Sequence, residues 1–378
     1  MTLRRTPERV LMTTDAVGGV WRWTADAAEA LAARGVSVVI AGLGPRPSAA
    51  QEAEIARIKG AELVWLDQPL EWLAEGEAAL RGLPDALARL ARERDANLIH
   101  VNAPAQAAEL ETELPVAAQS HSCVITWWRA MRREPVPQAW EWQRDRNLRG
   151  MEAADLVLAP SASHASAVRE AYATSTPVVT VPNASVPAAA GGRRSLRVLA
   201  AARWWDDAKN GAALDEAAAS IDAPVLMAGA VESPAGARFE PRHAQTPGPL
   251  PAEEVRRLMS ASAVFVSPSI YEPFGLSSLE AAGAGTALVL ADIPTYRELW
   301  DGVALFRDPH DPVGIADAVN RLLADGKLRR RMGLSARRRA QAFSPDRQAR
   351  GLLAAWSRAM AARAPAPASA DFSAAHAR

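Results

Sequence analysis

The chain has 378 residues, with 43 basic against 43 acidic side chains and no formal net charge. Hydrophobic residues make up 49% and charged residues 23%, the balance of a globular protein long enough for two domains. That balance excludes nucleic-acid binding through a global basic field, and the sequence has no apolar run of the ~18 residues needed to span a membrane.

Short apolar runs alternate with helical stretches along the chain. Strands are expected at 10–13, 36–41, 62–66, 98–102, 116–120, 156–159 and 178–181. Gly18-Gly19 follows the first, then a helix over 20–33 that Gly35 ends; a second amphipathic helix covers 83–94. Residues 187–195 read as a linker of alanine, glycine and arginine. The pattern then restarts, with strands at 196–201, 225–228, 263–267, 287–290 and 303–306. Helices are expected at 210–219, 252–262, 276–284, 312–324, 328–342 and 345–363. The alanine- and proline-rich tail 364–378 reads as disordered. The reading is α/β: two parallel sheets covered by helices and facing each other across a cleft. The expected units are 1–188, joined by the helix 345–363, and 193–344.

Lysine occurs only at Lys59, Lys209 and Lys327, so a lysine inside a motif stands out. The single cysteine, Cys123, excludes an intramolecular disulfide and a cysteine metal cluster. No signal-peptide pattern opens the chain, and a cytoplasmic location is expected.

One segment runs Ser267-Pro-Ser-Ile-Tyr-Glu272-Pro-Phe-Gly-Leu-Ser-Ser-Leu-Glu280. A strand ends, Pro273 and Gly275 break the chain, and a helix begins near Leu276. Free backbone N–H groups at such a helix start can hold a phosphate, here over Phe274 to Ser277. Carboxylates at 272 and 280 would then suit ligand hydroxyls. A helix start with favourable acidic residues explains the bare pattern equally well. In a second segment Arg203 closes a strand and Lys209 opens the next helix, where a lysine is not favoured. Together they suit a diphosphate; alone, a salt bridge to Asp206 or Asp207 accounts for them.

Taken together, these segments resemble glycosyltransferase family 4, of the two-Rossmann GT-B architecture. The similarity runs over residues 8–360. Its carriers are Glu272-x₇-Glu280, the Arg203 and Lys209 pair, and Gly18-Gly19. The stretch around 225–229, Gly248 before a helix, and Asp292 to Glu298 add to it. The resemblance implies transfer of a hexose from a nucleotide sugar with retention of configuration, in envelope or exopolysaccharide synthesis. It implies that Arg203 and Lys209 hold the diphosphate and that the Phe274, Gly275 and Leu276 backbone contacts phosphate or hexose. Glu280 would accept from the ribose and Glu272 from the hexose. Gly18, Gly19, Gly229 and Gly248 would let backbone approach the donor, and His121 would meet hexose or acceptor. A glycine usual before the arginine is Ala202 here, and lysine-glycine is Lys209-Asn210-Gly211. No Asp-x-Asp motif occurs, and no metal or cofactor is implied. The implied partners are a nucleoside-diphosphate sugar, a glycan or lipid-linked acceptor, and peripheral contact with a membrane face.

His121 ends a strand and faces the expected cleft; His100, ending the preceding one, is a weaker candidate. A packed loop histidine remains the alternative for His121. Tryptophan and arginine concentrate at 127–133 and 140–146, which suits a helical lid, a sugar-stacking surface or a membrane contact alike. The arginine clusters 329–331 and 337–339 read as a solvated helix face. No Gly-x-Gly-x-x-Gly follows a strand and no P-loop occurs, which disfavours a dinucleotide oxidoreductase and an ATPase. A GT-B-fold epimerase and a nucleotide-sugar-binding protein without transfer activity remain as rivals.

Overall fold

A computed structural model of the chain describes residues 6–132, 134–186, 194–233 and 236–363. Of the linker read at 187–195, residues 187–193 lie outside the described residues, as does the tail at 364–378.

The first half carries β1 (Arg9–Asp15), α1 (Gly19–Ala32), β2 (Ser37–Leu43), α2 (Ala49–Ala56), β3 (Ala61–Trp65) and α3 (Leu83–Glu93). It continues with β4 (Leu98–Val101), β5 (Val116–Gln119), α4 (Val124–Met131), α5 (Glu141–Ala153), β6 (Leu156–Ala159), α6 (Ala162–Tyr172) and β7 (Val178–Thr180). The second half carries β8 (Ser195–Ala201), α7 (Gly211–Ala218), β9 (Val225–Ala228), α8 (Ala252–Ala261), β10 (Ser262–Ser267) and α9 (Leu276–Gly283). Then follow β11 (Ala287–Ala291), α10 (Pro294–Trp300), β12 (Leu305–Arg307), α11 (Pro312–Ala324), α12 (Gly326–Ala340) and α13 (Pro345–Arg363).

The expected pair of parallel sheets is present. One has seven strands in the order β3-β2-β1-β4-β5-β6-β7, the other five in the order β12-β11-β10-β8-β9. The central strands are buried end to end, Val10 to Thr14 and Ala263 to Val266 among them, as continuous apolar runs covered on both faces require. On one face of the first sheet Trp21, Trp23 and Leu31 of α1 share a core with Leu352, Trp356 and Ala359 of α13. The last helix thus returns from the second half to close the core of the first.

Helices α2, α6 and α10 were not anticipated, and α4 and α5 only as one of three readings of the tryptophan- and arginine-rich segment. Each is short or weakly patterned. In α5 only Arg146, Asn147, Gly150 and Met151 are buried, because it packs on backbone: a Cβ on Gly150 would overlap the Pro104 carbonyl. Such close contact leaves no apolar stripe for periodicity to detect.

Candidate functional site

In each sheet the strand order reverses once between neighbours, at β1 and β4 in the first and at β8 and β10 in the second. Ligands of open α/β sheets bind beyond the strand ends at such points. The predicted residues collect there. At the end of β1 stands Asp15, whose Oδ1 accepts the Val17 N–H at 2.8 Å, and beyond it comes Gly18, the cap of α1. Beyond β8 comes Arg203, and beyond β10 the loop that carries Glu272.

The second-half wall is charged. Lys209 does not open a helix; it ends a short 3₁₀ turn, and α7 starts at Gly211. Asn210 sits between them with φ +55° and donates from Nδ2 to the carbonyls of Pro268 and Pro309, at 3.0 and 2.7 Å. That brace aims the Lys209 ammonium at Glu272, and Nζ lies 2.7 Å from Oε2. The local alternative of an ion pair from Lys209 to Asp206 or Asp207 is therefore not what forms. Arg203 takes Asp206 instead, loosely at 3.6 Å, and lies over the Trp205 ring at 5.2 Å. About half exposed, its guanidinium keeps donors free for a ligand.

Gly275 caps α9 with φ +87°, and a Cβ there would come within 2.7 Å of Tyr296. Only glycine turns the chain so sharply here. The backbone N–H groups of Gly275, Leu276 and Ser277 have no protein acceptor among the described residues, as an anion cradle requires. Gly229, with φ +125°, lies so close to Ala202 that a Cβ would overlap the Ala202 carbonyl. Its N–H reaches Gly248 O at 3.0 Å. Glu280 has no hydrogen-bonding side-chain partner among the described residues, and desolvation pushes its carboxyl up to about 7; Arg256 opposes the rise, and Asp26 across the cleft adds to it.

The two walls meet at the glycine loop. A Cβ on Gly18 would lie 3.6 Å from Arg203 Nη1, and one on Gly19 would lie 3.9 Å from Leu276 Cδ1. Gly18, Gly19, Arg203 and Leu276 thus converge from opposite halves. Asp15 feels Arg203 as well, although burial holds its carboxyl above the usual range.

Around His121 the first-half wall is neutral. His121 is half-buried; its Nε2 lies 2.8 Å from Asn102 Oδ1, and its ring meets Trp23 edge-on at 4.8 Å. Desolvation, with His100 and His164 nearby, pushes it down to about 3. His100 does not face the cleft as expected. It is fully buried, stacked on Trp23 at 5.5 Å, and its Nδ1 accepts from Trp356 Nε1 of α13 at 3.1 Å. Sequence reasoning missed Asn102 and Trp23. The signal for Asn102 was its place at a strand end beside a histidine; Trp23 had none beyond its helix.

The tryptophan- and arginine-rich segment forms α4 and α5, with the prolines at 135 and 137 between them. Its first part closes against the second half: Trp127 Nε1 donates to Asp206 at 3.1 Å, and Arg132 pairs with Asp207 at 2.9 Å. Nearby, the Tyr271 hydroxyl lies 2.7 Å from Thr126 Oγ1. Glu298 accepts from Ala162 N and Ser163 N at the start of α6, both at 2.8 Å. Among the described residues no group of three or more His, Cys, Asp and Glu could hold a metal ion, and no helix is long and apolar enough to cross a membrane.

Two family profiles match the chain: Glycosyltransferase Family 4 over residues 17–185 and Glycosyl transferases group 1 over residues 222–339. Among curated proteins, the α-maltose-1-phosphate synthase of Mycolicibacterium smegmatis is 37% identical over 98 residues, 24% of this chain and 25% of that protein. The D-inositol 3-phosphate glycosyltransferase of Salinispora arenicola is 37% identical over 121 residues, 31% of this chain and 27% of that protein. The matches thus span about a quarter of the length of these relatives. Among solved structures, a sucrose-phosphate synthase from Thermosynechococcus elongatus superposes with a TM-score of 0.77 at 19% identity, over 94% of this chain and 100% of that one. Anabaena HepE in complex with UDP superposes with a TM-score of 0.69 at 16% identity, over 91% of this chain and 98% of that one.

Proposed function

We propose that this chain, a Glycosyltransferase Family 4 domain joined to a glycosyl transferases group 1 domain in the GT-B fold, is a retaining hexosyltransferase. It moves a hexose from a nucleoside-diphosphate sugar to a hydroxyl of a glycan, glycolipid or small molecule. The observation that carries the reading is the meeting of the glycine loop with Arg203 and Leu276, beside the Lys209–Glu272 pair.

Arg203 and Lys209 hold the donor diphosphate and stabilise its departure. Lys209 exchanges part of its contact with Glu272 for phosphate, which frees Glu272 to accept from the hexose. The N–H groups of Gly275 to Ser277 contact phosphate or hexose, and Glu280 accepts from the ribose. Gly229 and Gly248 line the nucleotide. In the transfer, the bond from the anomeric carbon to the phosphate oxygen breaks and the bond to the acceptor oxygen forms on the same face. The acceptor proton passes to the departing phosphate. No protein nucleophile is needed; a trapped covalent glycosyl–carboxylate adduct would overturn this step.

The first experiment is a thermal-shift screen against UDP, GDP, ADP and their hexoses, followed by transfer assays. The relatives' names put a sugar phosphate and an inositol phosphate in the acceptor panel, beside neutral sugars and lipid-linked glycans. A bound nucleotide sugar whose hexose reaches an acceptor with its anomeric configuration kept is the expected result. Binding with neither transfer nor hydrolysis would replace the enzyme by a nucleotide-sugar-binding protein.

A further inference from the structure

Asn102 stands at the carboxyl end of β4 and is 5% exposed. Its neighbours orient its amide. The Thr13 carbonyl, 2.5 Å away, can only accept, so the atom facing it is Nδ2; Thr24 Oγ1, at 3.2 Å, takes the second N–H. The Asn102 backbone N–H reaches Thr13 Oγ1 at 2.7 Å and pins the residue from behind. Asn102 Oδ1 therefore faces His121 Nε2 at 2.8 Å. An amide oxygen cannot donate, so Nε2 must carry the ring proton. What remains of His121 is Nδ1, a lone pair with no protein partner among the described residues.

We propose, resting on the transferase reading above, that Asn102 holds His121 as a hydrogen-bond acceptor only. This corner of the cleft then takes a hydroxyl of a neutral sugar and turns away a carboxylate or phosphate. Asn102 is a positioning residue: it reaches the ligand through His121.

Oxygens of an ionised carboxylate or a phosphate dianion only accept, so against Nδ1 two lone pairs would face each other. The ring does not escape by taking a second proton. The groups that bear on it are His100 from β4 and His164 from α6, with Trp23 of α1 against its face. Both histidines are themselves pushed down to about 4 by burial. A sugar hydroxyl donates into the lone pair and meets no such conflict.

The test has two readouts. Nitrogen-15 NMR of the imidazole ring should show His121 as the Nε2–H tautomer from pH 5 to 8. An Nδ1–H or doubly protonated ring at pH 7 would overturn the proposal, whatever the activity. The second readout is selectivity. Wild-type enzyme should prefer a nucleoside-diphosphate hexose to the matching hexuronate, or a neutral acceptor to its phosphate ester. The expected ratio of kcat/KM is about 100-fold, the order expected when a buried acceptor is left unsatisfied. Whichever arm shows it identifies the sugar that meets His121. Asn102→Asp places a carboxylate against Nε2, which favours the imidazolium. It should narrow the preference at least ~10-fold and add an acid-side change to a pH profile that is flat in the wild type. A folded N102D variant with unchanged preference and profile would overturn the proposal. If N102D fails to fold, the wild-type NMR still decides. If the wild type transfers no sugar at all, the transferase reading falls while the tautomer result stands.

Discussion

On the first-half wall, His121, Asn102, Thr13 and Thr24 are locked by neutral hydrogen bonds among strand ends and buried helix faces. On the second-half wall, Lys209, Glu272, Arg203 and Asp206 are ions paired with each other on loops, with Arg203 half exposed. The difference follows from what each can do on ligand arrival. A buried neutral network has one satisfied arrangement and is costly to rearrange. Arg203, half exposed and 3.6 Å from Asp206, can exchange that partner for another anion at small cost. The first wall is built to keep a shape, the second to trade partners.

Glycines give the sharpest way to break this comparison. Gly229→Ala should destabilise the chain by about 3 kcal/mol or more, since positive φ and a clash with backbone coincide. Gly18→Ala has room, with Arg203 Nη1 the nearest atom at 3.6 Å, and should leave stability unchanged while weakening nucleotide-sugar binding. Urea unfolding and titration calorimetry would separate the two; equal destabilisation would erase the distinction between a braced and an open glycine.

Removing an ion should hurt function more than fold. Lys209→Ala should lower kcat at least ~10-fold, equivalent to about 1.4 kcal/mol of barrier, with only a modest loss of melting temperature. Steady-state kinetics at saturating donor would show it. An unchanged kcat would remove Lys209 from the site.

Removing a neutral partner should do the reverse. Trp356→Phe deletes the donor to His100 Nδ1 and should cost about 1–3 kcal/mol of stability, as for a buried acceptor left unsatisfied. Activity per folded molecule should hold. A kcat loss without destabilisation would mean that α13 reaches the chemistry directly.

The last contrast is in the pH dependence, where the walls respond oppositely. His100, His121 and His164 are held below their usual value. The unfolded chain thus binds more protons, and their contribution to stability is full above about 6.5 and is lost as pH falls towards 4. Glu280 is held up at about 7, so the native state binds its proton more tightly; stability falls as pH rises from about 4.5 through 7. Glu280→Gln should therefore melt higher than wild type at pH 8, with the gap closing near pH 4.5. It should also weaken nucleotide binding. A gap that stays constant with pH would assign Glu280 no buried charge.

Much of the second wall was legible in the sequence because its residues lie close together along the chain. Glu272, Gly275 and Glu280 fall within one strand–loop–helix passage, and glycine and proline mark where it turns. The first wall was legible only as Gly18-Gly19 after the first strand and His121 at a strand end. Asn102 is 19 positions from His121, and Trp356 is 256 positions from His100. No local period links them, and one parallel sheet with a returning helix brings them together.

The sequence by itself determined the alternation of strands and helices, the helix start at Leu276, and which few cations lie near it. These are local properties of side-chain period and backbone freedom. Tertiary structure decided whom each cation pairs with, that His100 is core while His121 faces the cleft, and which nitrogen of His121 holds the proton. Those are properties of partners, and in a doubly wound sheet the partners come from strands whose order in space is not their order in the chain.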